Sequence, residues 1–466
     1  MPLIPSSVPE WRASLSARAS SRFVQGYVGG HVLRLCATTT ASLLAVFAVD
    51  ILTLVYVAML HDPLLLAAVG VAKTLVFLNS GVMSGLVTAA GAQWSGRIGR
   101  LGRGVRSRWA ANLLWLALAL SGALGLFELA VAAPAIAWFG ADPAVWQAGK
   151  AFAICAVPAA ALSCVMQLCA QLLRSEGHHR TALMVVLSGA LSLAALDPLF
   201  IFAFGMGLRG AGLAYALSAA VAAVTGITLV ARHIGLRWAW RPVLFVVHAR
   251  RALRLAVPTM LGTLAMPCAV TYLMLTLSGF GAPALAAMAV IDRLLQLGYA
   301  FYFALPNALT PVLAQNLGTG HLERARQASR FTQGLVVLYG LAAWILFTAL
   351  ANPLARLFEL PADAQPLFLL FCHFGAGLWV FFGLDFVALA SFLALGRPWW
   401  VAGFAWLRAS LGTWPFVHFG AQAWGAGGAL LGMWLGNALV AALAVVTAGI
   451  LVRAVATRNT SVSIYS

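Results

Sequence analysis

Apolar residues fall into twelve long runs separated by short polar breaks, near 36–60, 64–91, 109–133, 149–173, 181–205, 210–231, 252–279, 283–313, 331–351, 366–394, 398–420 and 426–452. A helix needs about 20 consecutive apolar residues to cross the hydrocarbon core of a bilayer, and each run is of that order. The pattern predicts an all-α polytopic membrane protein with twelve transmembrane helices. Composition agrees, because 9% of residues are charged, 62% are hydrophobic and the mean hydropathy is +0.93, whereas a soluble domain carries about 25% charged residues.

The breaks between runs fix an orientation. The net charge is +17, which in a soluble chain would point to nucleic acid; here the arginines sit in short loops and no basic helix alternates with aromatics, so no nucleic-acid partner is expected. If the chain starts inside, 23 of its 29 Lys and Arg residues lie in inside segments and only Lys150, Arg209 and Arg356 lie outside. The inside set includes Arg12, Arg18, Arg22 and Arg34 before span 1, Arg97, Arg100, Arg103, Arg106 and Arg108 after span 2, and six arginines between 232 and 254. Positive charge stays on the cytoplasmic side of membrane proteins, so both termini are expected there, in the inner membrane. The first 30 residues lack an apolar core, and span 1 is expected to act as its own insertion signal.

The runs also repeat. "LAAVGVAK" (66–73) resembles "LAAMAVID" (285–292), an offset of 219, and "GLRGAGLA" (207–214) pairs with "AWGAGGAL" (423–430). The segments 91–100 and 314–326, and 196–202 and 413–419, match in the same order. Six spans separate the copies, so both face the same way, as expected of two pseudo-symmetric six-helix lobes around a central cavity. The expected organisation is a cytoplasmic tail over 1–33, an N-lobe over 34–231, a basic linker over 232–251 containing Trp238, Trp240 and Pro242, a C-lobe over 252–453 and a tail over 454–466.

Candidate chemistry lies with ionisable residues inside spans, which cost about 2.5–3.5 kcal/mol each to insert and are rarely idle. They are Asp50, Lys73 and Asp197 in the first half, and Asp292, Arg293, Asp385 and Arg408 in the second. A helix rises ~1.5 Å per residue, which puts Asp50, Lys73 and Asp197 all roughly 14–15 Å below the outer surface. Burial and a neighbouring ammonium act in opposite senses on a carboxylic acid, a balance that suits a proton relay; the alternative is an Asp50–Lys73 pair that only neutralises itself and fixes packing. Asp292 and Arg293 are adjacent and cannot face each other on a helix, so each needs another partner. Asp385 follows Gly375, Gly377 and Gly383 on a helix expected to bend, with Arg408 or Arg293 as its partner.

Other patterns carry less. Gly205-x-Gly207-x-x-Gly210 follows a spanning helix rather than a strand and is a tight turn, not a dinucleotide motif. His178 and His179 are expected to bind no metal, and the six cysteines to be small buried apolar residues rather than disulfides or ligands. Gly425, Gly427, Gly428 and Gly432 suggest close helix packing. His373 and His418 stand in separate spans without a partner at catalytic spacing, so no enzyme and no cofactor are expected.

The stretches "VD" at 49–50, "LLLAAVG" (64–70), "LRSEGHHR" (173–180), "LDPLFIF" (196–202), "APALAAMAVIDRL" (282–294) and "ALPNALTPVLAQNLGTG" (304–320) resemble the multidrug and toxic compound extrusion (MATE) family, in its DinF-like branch, over about residues 34–452. The resemblance implies a MATE-like fold and cation-coupled export of drugs or metabolites by alternating access between the lobes. Residue by residue, Asp50 and Asp197 match the family's span-1 and span-5 acids and Asp385 its span-10 acid. The family's asparagine before the span-5 acid is Leu193 here, its span-6 threonine is Tyr215, and the span-7 acid of NorM-like members is Met266. Its bend proline in span 1 is replaced by the Thr38–Thr40 stretch, while Pro258 is present in span 7. Loss of oxygen ligands, with Lys73 nearby, favours protons over sodium.

The expected function is a monomeric antiporter that exchanges protons for amphipathic or cationic organic compounds. Asp50, Lys73 and Asp197 would couple; Asp292, Arg293 and Asp385 would be secondary. The substrate would lie against Phe77, Met83, Tyr215, Tyr299 and Tyr302. The alternative is a lipid-linked precursor flippase of the same superfamily, which would need a more cationic cavity. Trp414 stands where the second half would repeat Asp197, so coupling is expected to be asymmetric.

Overall fold

A computed structural model describes residues 22–98, 101–138, 143–238 and 241–464. Arg12, Arg18, Arg100 and Trp240 lie outside the described residues. Among the described residues ten helices are long and apolar enough to cross a membrane, and the pair Ala282–Gly298 and Ala300–Gly318, bent by 41°, adds an eleventh crossing. The stretch Pro398–Ala454, 57 residues in one apolar block, would be about 85 Å long if straight, far more than the ~30 Å it has to cross. It folds back instead. The backbone leaves helical geometry at Trp424 and Gly425, where Gly425 has φ +60°. Around that turn Gly420 meets Gly428, Phe416 meets Gly432, and Gly412 meets Gly436, backbone against side-chain position. A methyl group at any of these glycines would strike the opposite helix, so the sequence of small residues is what permits the hairpin. Counting both arms gives twelve spans.

Spans 1 to 4 are Val28–Ala58, Pro63–Ser95, Arg103–Trp138 and Pro143–Ser175, and span 5 is His179–Pro198 with a wider π turn over Leu199–Ala203. Span 6 is Gly207–His233, span 7 is Pro242–Ser278, and span 8 is the bent pair. Span 9 is Leu322–Leu357, and span 10 runs from Gln365 to Ala394 with a π turn over Phe371–Gly375. Spans 11 and 12 share Pro398–Ala454. The helix expected to bend before Asp385 carries this π turn, a widening that often marks functional segments. Span 7 begins at Pro242, so half of the expected linker is helical, and the last helix continues to Ile464 through the expected tail.

The two lobes repeat one packing scheme. Span 4 lies on spans 2, 3 and 6, as span 10 lies on spans 8 and 9 and on the helix Trp414–Ile464. Span 1 lies on span 5, as span 7 lies on the helix Pro398–Ala409. Between lobes, span 2 packs on span 7 and its symmetry mate, span 8, on span 1; spans 2 and 8 meet on the axis. Thr88 Oγ1 donates to Asn307 Oδ1 at 2.9 Å across 219 residues, the repeat offset itself.

Joining occurs mainly on the arginine-rich side. Gln171 donates to the Asn307 carbonyl (3.2 Å), Gln315 to that of Ser175 (2.6 Å) and Gln93 to that of Arg251 (2.6 Å). Val28, Val32 and Leu35 of span 1 sit in the C-lobe core with Ile291, Leu305 and Leu309, and Phe392 and Leu393 of span 10 sit in the N-lobe core with Leu86 and Leu168. On the opposite side Val57, Ala72, Ala132 and Phe152 form a core of N-lobe residues alone. A short strap covers the arginine-rich seam. Phe23 is buried; its N–H donates to Gln315, its carbonyl accepts from Asn316, and Arg324 reaches the Gly26 carbonyl at 2.9 Å.

Candidate functional site

The three ionisable residues expected to cluster in the N-lobe do so. Lys73 Nζ lies 3.4 Å from Asp50 Oδ1 and 3.1 Å from the Asp50 carbonyl oxygen. Span 1 supplies the acid and span 2 the ammonium, each held by a helix anchored in packed apolar residues on either side. The Asp50 side chain is 49% exposed and that of Lys73 20%, so this pair is open to its surroundings. Asp197, from span 5, is fully buried and lies within electrostatic reach of both. Its Oδ2 accepts from Thr53 Oγ1 at 2.5 Å, and its Oδ1 has no hydrogen-bond partner among the described residues. Thr53 also donates toward the Val49 carbonyl, and that local bond, common for helix hydroxyls, hides its cross-helix role in the sequence. Thr53 is therefore a member of the site that charge counting misses.

The sum of formal charges here is informative. Two carboxyls face one ammonium, so with both ionised the cluster carries net −1 and one proton neutralises it. Leu193, one turn before Asp197, is buried and offers no oxygen. Tyr215 on span 6 bonds Ser163 on span 4 at 3.1 Å and is within electrostatic reach of Asp50. Hard cations gather several oxygen ligands; the cluster offers two carboxyls and Thr53, with an ammonium already seated against one of them.

The C-lobe site is built differently. Asp385 on span 10 forms an ion pair with Arg408 on span 11, and both side chains are less than a tenth exposed. Arg408 also lies 4.7 Å over the Phe382 ring, a cation–π contact that covers the guanidinium. Arg408, not Arg293, is the partner of Asp385. Asp292 and Arg293 find a shared partner in Gln296, which donates to Asp292 (2.7 Å) and accepts from Arg293 (3.3 Å).

The aromatic set expected to line a substrate cavity divides. Tyr299 and Tyr302 are fully buried and bond the Ala376 and Val336 carbonyls. They belong to an aromatic core with Trp379, Tyr339 and Phe347; this corrects the expectation for both, because their hydroxyls pay for burial with backbone bonds inside the lobe. Met83 is likewise buried, in the core that Leu86 and Leu168 share with Phe392 and Leu393. Phe77 is 66% exposed and Tyr215 half-buried. Of the cysteines, Cys36, Cys164, Cys169 and Cys372 are buried, Cys155 is partly so and Cys268 is exposed; all six are free.

One buried acid is absent from the sequence-based set. Glu128 on span 3 is 5% exposed and accepts from Asn79 of span 2 at 3.2 Å, while Ser121 donates to Asn79 at 2.7 Å.

Comparison with known proteins places these features in a family. The sequence matches MatE over residues 39–199 and 258–414, one match in each lobe. A relative from Pseudomonas savastanoi, an uncharacterized 21 kDa protein, is 40% identical over 195 residues, covering 40% of the chain and 62% of the relative. A FAD transporter from Shewanella oneidensis is 32% identical over 197 residues, covering 40% of the chain and 43% of the relative. The chain thus spans less than two thirds of either curated relative. The crystal structure of the Vibrio cholerae MATE transporter VcmN, as a mutant, superposes with a TM-score of 0.86 at 19% identity, over 94% of the chain and 98% of that structure; at that identity the likeness speaks for the fold.

Proposed function

The chain belongs to the MatE family of membrane transporters, and on that footing we propose that it is a proton-coupled antiporter exporting amphipathic or cationic organic compounds by alternating access. The observation that carries this reading is the meeting of Asp50, Lys73 and Asp197, with one ammonium for two carboxyls and an unpartnered Asp197 oxygen. A proton is the cation such a cluster accommodates most simply. It needs one oxygen, whereas sodium would need a shell of oxygens, and Lys73 already stands against Asp50. Joining of the lobes on the arginine-rich side supports the alternating part of the cycle, and the charge distribution favours a cytoplasmic position for that side in a bacterial inner membrane.

The flippase reading would want cations facing a cavity. Lys73 and Arg408 each pair with a carboxylate, leaving Arg293, which is exposed and bonds Gln296. That balance favours the exporter. The relative named FAD transporter adds a phosphate-bearing flavin to the substrates to be assayed. The test is transport in proteoliposomes holding the full chain, with ethidium or FAD as cargo and imposed proton or sodium gradients. Proton-driven flux that collapses in Asp197→Asn supports the proposal. Flux driven by sodium alone, or unchanged in Asp197→Asn, overturns it.

A further inference from the structure

The N-lobe holds another buried carboxyl at this depth, facing a different side of span 2 from the coupling cluster. Glu128 lies ten residues before the end of span 3 at Trp138, about 15 Å along the helix, near the depth of Asp50 and Asp197. Its surroundings are specific. Asn79, which is fully buried, donates one amide to Glu128 Oε2 at 3.2 Å and to the Ser121 carbonyl at 3.1 Å, while Ser121 Oγ donates back to Asn79 Oδ1 at 2.7 Å. Every atom of the Asn79 amide is therefore used. Glu128 Oε1 is buried and has no partner among the described residues.

From span 4, Val157 closes on Gly125, less than a turn from Glu128. Among the described residues no Lys, Arg or His forms an ion pair with Glu128, and the polar side chain that bonds it is that of Asn79. An ionised carboxyl in this place would be a buried charge with a single neutral donor, an arrangement that breaks the usual rule of paired or multiply bonded charges. A proton on Oε1 removes the charge and turns the orphaned acceptor into a hydroxyl.

Span 2 connects this group to the coupling cluster. Lys73 and Asn79 are six residues apart, a turn of about 240°, so one helix presents Lys73 to Asp50 and Asn79 to Glu128. A shift of span 2 changes both contacts together. We propose that Glu128 is a second proton-carrying group of the N-lobe, linked through Asn79 to the movement of span 2. On uptake a hydronium O–H bond breaks as the Oε1–H bond forms, leaving water, and on release the Oε1–H bond breaks and a water accepts the proton; no electrons are transferred. The inference deepens the antiport reading and rests on it for its role in transport, while proton occupancy of Glu128 stands apart from that reading.

Two measurements on the full-length protein in lipid separate the possibilities. Infrared difference spectroscopy should find a protonated-carboxyl band at neutral pH that is lost in Glu128→Gln and kept in Asp50→Asn. Binding of ethidium to the purified protein should release about one proton fewer per chain in Glu128→Gln than in the wild type, as linkage requires of a lost site. Thermal melting of Glu128→Gln and Glu128→Leu reports the packing role. An unchanged band and proton count in a folded Glu128→Gln overturns the proposal, as does normal gradient-driven transport in Glu128→Gln beside a destabilised Glu128→Leu, which would make the residue a brace. A wild type that moves ethidium without proton counterflow defeats the antiport reading, and the infrared band then decides Glu128 alone.

Discussion

Each lobe brings an acid and a base from neighbouring helices together, at positions the repeat does not relate, and the two lobes balance them oppositely. In the C-lobe one carboxylate meets one guanidinium, both nearly enclosed and capped by Phe382. In the N-lobe two carboxyls meet one ammonium, Asp50 is half exposed, and Asp197 keeps an oxygen unused. A matched pair out of contact with water has no reason to change its charge; a mismatched and accessible one does. Symmetry of the backbone therefore does not extend to chemistry, and Trp414 at the position related to Asp197 is exposed and packed against Tyr272.

Removing one member of the matched pair should have the largest effect. Arg408→Leu leaves Asp385 buried without its partner and is expected to destabilise the protein by about 3–5 kcal/mol, read as lower melting temperature and lower yield; the double change Arg408→Leu with Asp385→Leu should recover most of it. If the single variant melts like wild type, the contrast between lobes fails. Asp197→Asn is expected to keep the melting temperature and to lose gradient-driven flux by about tenfold or more, equivalent to at least ~1.4 kcal/mol of coupling. Thr53→Val, which removes the donor to Asp197 but not the acid, should cost about 1 kcal/mol, seen as a several-fold loss of flux without loss of protein.

The smallest effect lies outside the spans. Burial, with Arg22, His233 and His179 nearby, lowers the His178 imidazole to about 4. The unfolded chain then takes up a proton near pH 6.5 that the folded one refuses, so its contribution to stability is intact above pH 6.5 and falls as pH drops from 6.5 toward 4. Between pH 7 and pH 5 the wild type should lose a degree or two of melting temperature, more than His178→Gln loses, because solvent at the partly exposed ring screens the shift to about 1 kcal/mol or less.

Spans and lobes were legible because membrane thickness imposes a length on every apolar run, and because the repeat keeps its offset. The N-lobe cluster was legible from depth alone, since Asp50, Lys73 and Asp197 fall at one level. Burial of Tyr299 and Tyr302 was not, because a lobe interior, a lipid-facing surface and a drug cavity all accept aromatics. Glu128 could have been found by the insertion-cost reasoning that found Asp197, applied to span 3 as well. Thr53 could not, since a helix threonine that bonds its own backbone looks the same whether or not an acid waits across the groove.

The contact between Thr88 and Asn307 has a consequence for ancestry. A residue on a twofold axis faces its own duplicate, so while the two halves were alike that position had to serve as donor and acceptor at once. Once they diverged, a hydroxyl could specialise in giving and an amide oxygen in taking. The same freedom lets Asn307 offer its carbonyl to Gln171, a bond whose mirror image cannot form because the matching position is Ala390. Duplication supplied the scaffold, and the loss of likeness at its centre supplied a direction.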